Sequence, residues 1–382
     1  MRKVFRIMAL SVAVFSTTSC VLAITRSDSK AAAPSGRIRP LAGMTVSRAA
    51  HTSTLLNDGR VLIVGGFRTG GTSLAQAELF VPATGKFEAT GNLSVARAGH
   101  TATLLPDGKV LIAGGFDGTY LDTAEIFDPQ TGKFSSGGKL SMPRSEHTAT
   151  KLSDGRILLT GGVGTGWTFL ADAEIYDPKT RRFTPTGRMS TPRESHTATL
   201  LRDGKVLITG GHKDRRNAIT IYATAETYDP VLAKFQPASD LTIRRHKHDA
   251  VSLNDGRVLI SGGSDERDSR GAYNSLEIFE TATGRFRRVA ETLSARYKLN
   301  GAVVLLNNGK VLLAGGSDTA EIFDPVTHKV TAVDGAFGSQ RLFATATLLK
   351  DGRVLIAGGY DEATRVGHGA WVFEQGTADK ME

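Results

Sequence analysis

Short apolar runs broken by turn residues recur along almost the whole chain. In residues 100–113 the run HTATLL is followed by a turn pair, Asp107-Gly108, and then by KVLIA. The first run predicts a β-strand. The Asp-Gly pair predicts a two-residue hairpin of type I′, because glycine tolerates positive φ. KVLIA is apolar at nearly every position rather than at alternate ones, which suits a strand covered on both faces. Gly114-Gly115 ends it, where the backbone must turn or pack closely. AEIF at 124–127 predicts a third strand, Asp128-Pro129-Gln130-Thr131-Gly132 a turn, and Lys133-Phe134 the start of a fourth, outer strand.

This unit repeats. Gly-Gly doublets stand at Gly65, Gly114, Gly161, Gly210, Gly262, Gly315 and Gly358, with successive spacings of 49, 47, 49, 52, 53 and 43 residues. A period of that size is the signature of a propeller blade of four strands. The last copy has ATATLL (344–349), VLIAGG (354–359) and AWVFEQ (370–375) but no fourth strand. The missing strand is supplied at the other end. Gly36-Arg37-Ile38 aligns with Gly85-Lys86-Phe87 at an offset of 49, which also carries Arg48 onto Arg97 and His51 onto His100. Residues 36–44 are therefore expected to complete the seventh blade, with Ile38 in the place of Phe87, so that the ring has no open edge.

The pattern R-x-x-H-T-A-T-L-L-x-D-G-K-V-L-I-x-G-G…A-E-I-F-D-P-x-T-G-K-F resembles kelch repeats, in the form found in secreted bacterial proteins and in the central domain of galactose oxidase. The resemblance covers residues 36–375. It implies an all-β fold, a seven-bladed kelch-type β-propeller with blade seven closed by the N-terminal strand. It implies no activity, since one fold hosts many functions.

Composition fits this reading. The chain has 382 residues, 40% hydrophobic, with 43 glycines. That is enough apolar material for a large core and enough glycine for a turn-rich β protein. Residues 1–23 read as an export signal: Arg2, Lys3 and Arg6 are basic, Met8 to Phe15 are apolar, and cleavage is expected after Ala23. The single cysteine, Cys20, offers a second reading, lipidation as in bacterial lipoproteins. Either way the protein is expected outside the cytoplasm, as a periplasmic, secreted or outer-surface protein. Residues 24–35 read as a linker and 376–382 as a tail. No further segment is long and apolar enough to span a membrane. With one cysteine, an intrachain disulfide cannot form, so burial and ring closure must hold the fold. The formal charge of +9 weakly favours anionic partners. Basic residues spread around a ring with 7% aromatic content argue against nucleic acid.

Candidate chemistry lies in columns of the repeat and in departures from it. One column is basic: Arg48, Arg97, Arg144, Arg193, Arg245, Lys298 and Arg341. Three residues later stand His51, His100, His147, His196 and His248, replaced by Gly301 and Ala344 in the last two blades. The third strand carries Glu78, Glu125, Glu174, Glu226, Glu277 and Glu321, replaced by Trp371 in blade seven. Repeated arginine and glutamate columns are expected to pair as structural parts of the array, and the histidines to be hydrogen-bonded repeat residues. A five-fold histidine ring does not match metal-ligand geometry. Arg341, facing Trp371 instead of a glutamate, is expected to be free for a ligand.

The main departures are the loops HKDRRNAITIY (212–222) and SDERDSRGAYNS (264–275), with the approaches Arg244-Arg245-His246-Lys247-His248 and Arg296-Tyr297-Lys298. Both loop classes open on one propeller face. The expected binding patch is therefore Arg215, Arg216, Arg244, Arg245, Lys247, Tyr273, Arg296, Tyr297 and Lys298, with Arg341 beside it. Candidate acid/base residues are His212, His246 and Tyr273, with His368 in blade seven. There is no serine nucleophile elbow, H-E-x-x-H or cysteine pair, and the Gly-Gly doublets do not lead into helices. The copper-radical chemistry of galactose oxidase needs a cysteine linked to a tyrosine, so it is not carried over. No cofactor or metal is expected. The leading expectation is a monomeric exported binding protein for a protein or acidic glycan. The alternative is a cofactor-free lyase or isomerase of an acidic sugar.

Overall fold

The computed structural model describes residues 35–215 and 218–376. The export signal, Cys20, most of the linker, Arg216 and the tail beyond 376 lie outside the described residues. Seven four-stranded antiparallel sheets follow one another along the chain. Blade one contains Thr52–Leu55, Val61–Val64, Ala77–Val81 and Lys86–Ala89, innermost strand first. Blade two repeats the pattern with Thr101–Leu104, Val110–Ala113, Thr123–Asp128 and Lys133–Lys139. Blade seven comprises Thr345–Leu348, Val354–Ala357, Ala370–Gln375 and, from the chain start, Gly36–Pro40. Among the described residues, no helix is long and apolar enough to cross a membrane.

The second strand of each blade is the densest part. Val61–Val64, Val110–Ala113, Ile157–Thr160, Val206–Thr209, Val258–Ser261 and Val354–Ala357 are buried throughout. Their alternation sends side chains into two different interblade cores. Leu62 and Val64 pack with Val110 and Ile112 of blade two, whereas Val61 and Ile63 pack with Leu355 and Ala357 of blade seven. The continuous apolar run is thus a strand sandwiched by two neighbours. Gly65 and Gly66 follow with φ of 62° and 88°. A Cβ on Gly65 would meet the Arg97 carbonyl oxygen at 2.5 Å, so the doublet permits the close approach of adjacent blades.

The Asp-Gly hairpins differ from expectation. At Asp107-Gly108 only the glycine has positive φ, 82°. Gly108 N–H donates to Leu105 O and Leu105 N–H to Lys109 O. This is a three-residue loop with glycine in the bulge position, not a type I′ turn. The Asp107 carboxylate accepts the Lys109 N–H, which a longer loop allows.

Closure follows the expected register. Ile38 pairs with Phe373, as Phe87 pairs with Phe80 in blade one. Ile38 is 4% exposed and Phe373 fully buried. Ile38 N–H also donates to the Asp334 carbonyl of blade six, and Arg37 Nε lies 2.9 Å from the Asp334 carboxylate.

Six buried ion pairs recur around the ring, formed by Arg48–Glu78, Arg97–Glu125, Arg144–Glu174, Arg193–Glu226, Arg245–Glu277 and Arg296–Glu321. In blade three, Arg144 Nη1 donates to the carbonyls of Gly161 (2.9 Å) and Asp172 (3.0 Å), and Nη2 donates to Glu174 (2.7 Å). The other Glu174 oxygen accepts the Ser141 N–H at 2.8 Å, from the segment arriving from blade two. Each pair therefore ties the second strand, the third strand and the interblade connection to one point.

Blade six corrects the basic column. Counting back from its inner strand places Lys298 on the arginine and Gly301 on the histidine. The pairing arginine is instead Arg296, and Leu299 packs against Gly262 as His100 packs against Gly65. Two extra residues, Asn300 and Gly301, are absorbed in a turn, where the Asp249 carboxylate accepts the N–H groups of Gly301, Ala302 and Val303.

Two outcomes test this architecture. Deleting residues 36–44 is expected to expose the edge of blade seven, lower the melting temperature and promote aggregation. Unchanged melting would show the pairing to be dispensable. Glu174→Ala, which strands a buried guanidinium, is expected to cost about 3–5 kcal/mol in denaturant unfolding. Arg341→Met, at the blade without the carboxylate, is expected to cost roughly half that or less.

Candidate functional site

The segments that feed the inner strands and the loops that follow the Gly-Gly doublets meet on one face. Single bridges join them: Ala49 to Phe67, Ala98 to Phe116, Ser145 to Val163, Glu194 to His212, His246 to Ser264 and Leu342 to Tyr360. One residue further along, each blade adopts left-handed backbone at the channel mouth. These residues are Ala50, Gly99, Glu146, Ser195, Lys247, Lys298 and Phe343, with φ between 48° and 61°. Backbone bonds run from one to the next around the opening, including Glu146 N–H to Gly99 O, Lys247 N–H to Ser195 O and Phe343 N–H to Lys298 O. Six of the seven are not glycine, and each such residue costs about 1 kcal/mol or more in this conformation. Below the mouth lies a channel cavity of about 320 Å³ lined by histidine, threonine and serine residues.

The five repeat histidines clip neighbouring blades together. His100 Nε2 lies 3.0 Å from Thr52 Oγ1, His147 Nε2 3.1 Å from Thr101 Oγ1, and His51 Nε2 3.1 Å from Thr345 Oγ1, across the closure. Burial, with the cationic arginines close by, lowers them far below the usual histidine range, His100 and His196 to about 3. They are neutral structural groups.

The structure redistributes the expected patch. Arg245 and Arg296 are fully buried in the repeating ion pairs and do not face a ligand. His212 and His246 do come together, with Nδ1 atoms 3.1 Å apart and rings nearly perpendicular. Both are buried, at 0% and 2% exposure, because the loops of blades four and five close over them. Burial, with the His246 ring, Arg215 and Lys247 adding to it, brings His212 down to about 2, and burial, with Lys247 adding and Asp268 opposing, brings His246 to about 3. They therefore pack loops together and are not surface acid/base groups. Tyr273 is half-buried with the Arg245 guanidinium over its ring, and Arg244 is exposed and paired with Glu266. Arg341 has no carboxylate partner, yet it is not free: it stacks on Trp371 at 4.8 Å and donates to the Phe337 carbonyl. His368 is exposed beside Gly43 at the closing strand, apart from this cluster.

Three expected residues do reach the mouth. Lys247 Nζ lies 2.8 Å from Asp268, and Lys298 Nζ 3.8 Å from the same carboxylate. Lys298 also donates to Tyr360 Oη at 2.8 Å and lies over the rings of Tyr297, Phe343 and Tyr360. Burial, with Lys298 adding to it and Asp268 opposing, lowers Lys247 from its ordinary value. Arg215 Nη2 binds Glu194 at 2.5 Å, Nη1 contacts His212 Nε2, and its guanidinium packs over Trp167 and Phe169. Tyr297 is buried under Lys298.

Other members were not anticipated. Glu146 stands in the mouth set, and burial, reinforced by Glu194 and opposed by Arg215 and Lys247, pushes it up to about 7. Beside it, Phe67, Phe116, Tyr120 and Trp167 line a pocket of about 220 Å³. The available signal was the column two residues after each arginine. It varies between alanine, glycine, glutamate, serine, lysine and phenylalanine while its neighbours repeat.

The depressed histidines generate a pH dependence. Below about pH 6.5 the unfolded histidines take up protons that the folded ones refuse, so stability falls as pH drops toward 3. Each such histidine contributes about 1.4 kcal/mol per pH unit below about pH 5.5. Melting curves between pH 7.5 and 4.5 are expected to show this loss, with a shallower slope in His246→Gln.

Comparison with known proteins agrees with the fold. Residues 50–236 match the KLHDC2/KLHL20/DRC7 Kelch-repeats domain family. No curated protein sequence matches significantly. Among solved structures, the chain is similar to a fungal alcohol oxidase of the AA5 family in complex with copper, with a TM-score of 0.71 and 17% identity over 89% of this chain and 76% of that one. At that identity the likeness concerns the fold alone. The described residues do not fit the copper of that protein: none is a cysteine, and no group of three or more His, Cys, Asp or Glu side chains is placed to hold a metal ion. By its blades, their closure and these likenesses, the chain is a seven-bladed kelch-type β-propeller.

Proposed function

We propose that this propeller is an exported binding protein that holds an anionic group, presented by a protein or an acidic glycan, at the mouth of its channel. A kelch propeller suggests an interaction role. One observation carries the anionic preference: Lys247 and Lys298 occupy adjacent blades of the mouth and share the single carboxylate of Asp268, so positive charge remains there. Contacts with Asp268, and for Lys298 with the Tyr360 hydroxyl, hold both ammonium groups in place. Residues 1–23, basic and then apolar, support export.

Glu146 favours a second reading. A carboxyl pushed up to about 7 is poised to exchange a proton at neutral pH, as an acid/base catalyst on an acidic sugar requires. Turnover of a uronide, abolished by Glu146→Gln, would establish that reading in place of the binding protein.

Calorimetric titration with poly-L-glutamate and polygalacturonate separates the outcomes. The binding reading expects affinity that falls with added salt, and about a tenfold loss in the double variant Lys247→Met, Lys298→Met with little change in melting temperature. Equal affinity in wild type and double variant would overturn it, as would the absence of binding to either polyanion.

A further inference from the structure

The pocket beside Glu146 has a composition that neither the blades nor the ion pairs require. Phe116 and Trp167 are among the few large apolar residues that remain exposed, Trp167 at 60%. They come from the loops of blades two and three, with Tyr120 between them. Its ring meets Phe116 edge-on at 5.1 Å and Trp167 at 6.1 Å. The rings thus form walls at steep angles rather than one continuous stack. Trp167 holds its position on left-handed backbone, with φ of 63°. An exposed tryptophan on a strained backbone contributes nothing to the interblade cores, so its placement points to a ligand.

The polar groups of the pocket are equally specific. Glu146, also on left-handed backbone, and Arg215 both line it. Arg215 is held by Glu194 and His212 and cannot swing away freely. The pocket and the channel mouth share Ala50, Gly99 and Glu146, so the one opens into the other. Glu146 senses the charges of both Arg215 and Lys247, which places the pocket and the lysines within one electrostatic neighbourhood.

Aromatic walls, one carboxyl and one guanidinium in about 220 Å³ match a ligand with apolar C–H faces and hydroxyl edges. We infer that this pocket is a subsite for one pyranose ring of an acidic oligosaccharide whose carboxylate is held at Lys247 and Lys298. The inference rests on the anionic-ligand reading for the lysines, but the pocket makes its own contribution. The sugar ring sits against Trp167 and Phe116, its hydroxyls reach Glu146 and Arg215, and the neighbouring sugar carries its carboxylate across the mouth.

The test uses three probes: the trisaccharide of glucuronic acid, neutral cellotriose and triglutamate. Trp167 emission is a direct reporter, because the only other tryptophan, Trp371, is buried under Arg341. Wild type is expected to bind the glucuronic trisaccharide about tenfold more tightly than triglutamate and to change its emission on binding. In Trp167→Ala, and separately in Phe116→Ala, the ratio of the two affinities is expected to fall toward one. Cellotriose is expected to bind weakly and perturb Trp167 in wild type and in the Lys247→Met, Lys298→Met variant alike. A ratio of one in wild type, or a preference that survives Trp167→Ala, would overturn the subsite while leaving the lysine reading intact. Failure of triglutamate to bind, with cellotriose still perturbing Trp167, would overturn the lysine reading while leaving the sugar subsite intact.

Discussion

The rest of the propeller depends on a guanidinium that has been taken wholly out of water. A buried arginine must find acceptors for its forked donors, and in six blades the same acceptors are supplied: the carbonyl that ends the second strand, the carbonyl that precedes the third, and a glutamate on the third. The glutamate in turn accepts an N–H from the arriving chain. Burial of charge is costly by itself, and replacing such a pair by apolar residues is often neutral. What the pair enforces is geometry. The chain must pass from one outer strand to the next inner strand along one path, with one backbone conformation at its end.

That conformation is the left-handed residue at the channel mouth. In blades one to five the ion pair holds the backbone on one side of it and the histidine–threonine contact holds the next turn on the other, and in all seven blades the glycine doublet of the neighbouring blade donates an N–H to the arginine carbonyl just before it. Because the conformation is imposed from both sides, the side chain at this position is released from structural duty. Alanine, glycine, serine, phenylalanine, glutamate and lysine all occur there. The fold thereby separates what must repeat from what is allowed to vary, and the variable column is the one that borders the channel mouth.

The parts of this arrangement that were legible in the sequence are those carried by backbone rules. Gly-Gly spacing marked the blades, the continuous apolar runs marked the sandwiched strands, and the offset at Gly36 placed Ile38 opposite Phe373. The unreadable parts depended on burial. Arg245 and Lys247 are two residues apart and equally basic in composition, yet one is fully buried and the other borders the mouth. Arg296 and Lys298 could not be assigned by counting, because the Asn300-Gly301 insertion shifts the strand relative to the arginine. The aromatic pocket was invisible because its members lie on separate loops, each unremarkable alone. Phe116 and Trp167 are 51 residues apart and meet only through Tyr120.

Closure by Gly36–Pro40 has a consequence for the history of each molecule. The propeller's first strand pairs with its last, across 335 positions of sequence between Arg39 and Glu374. Blades one to six can assemble as they emerge, since each contains its own four strands. Blade seven cannot, so Gly36–Pro40 stays an unpaired strand while the other blades form, and until the two meet both it and the sheet of Thr345–Leu348, Val354–Ala357 and Ala370–Gln375 are templates for any other extended chain. Before that pairing forms, the row of blades carries two adhesive ends. Only the pairing of Gly36–Pro40 with Ala370–Gln375 turns the row of blades into a ring, which makes that single pairing the moment at which the propeller becomes safe from its neighbours.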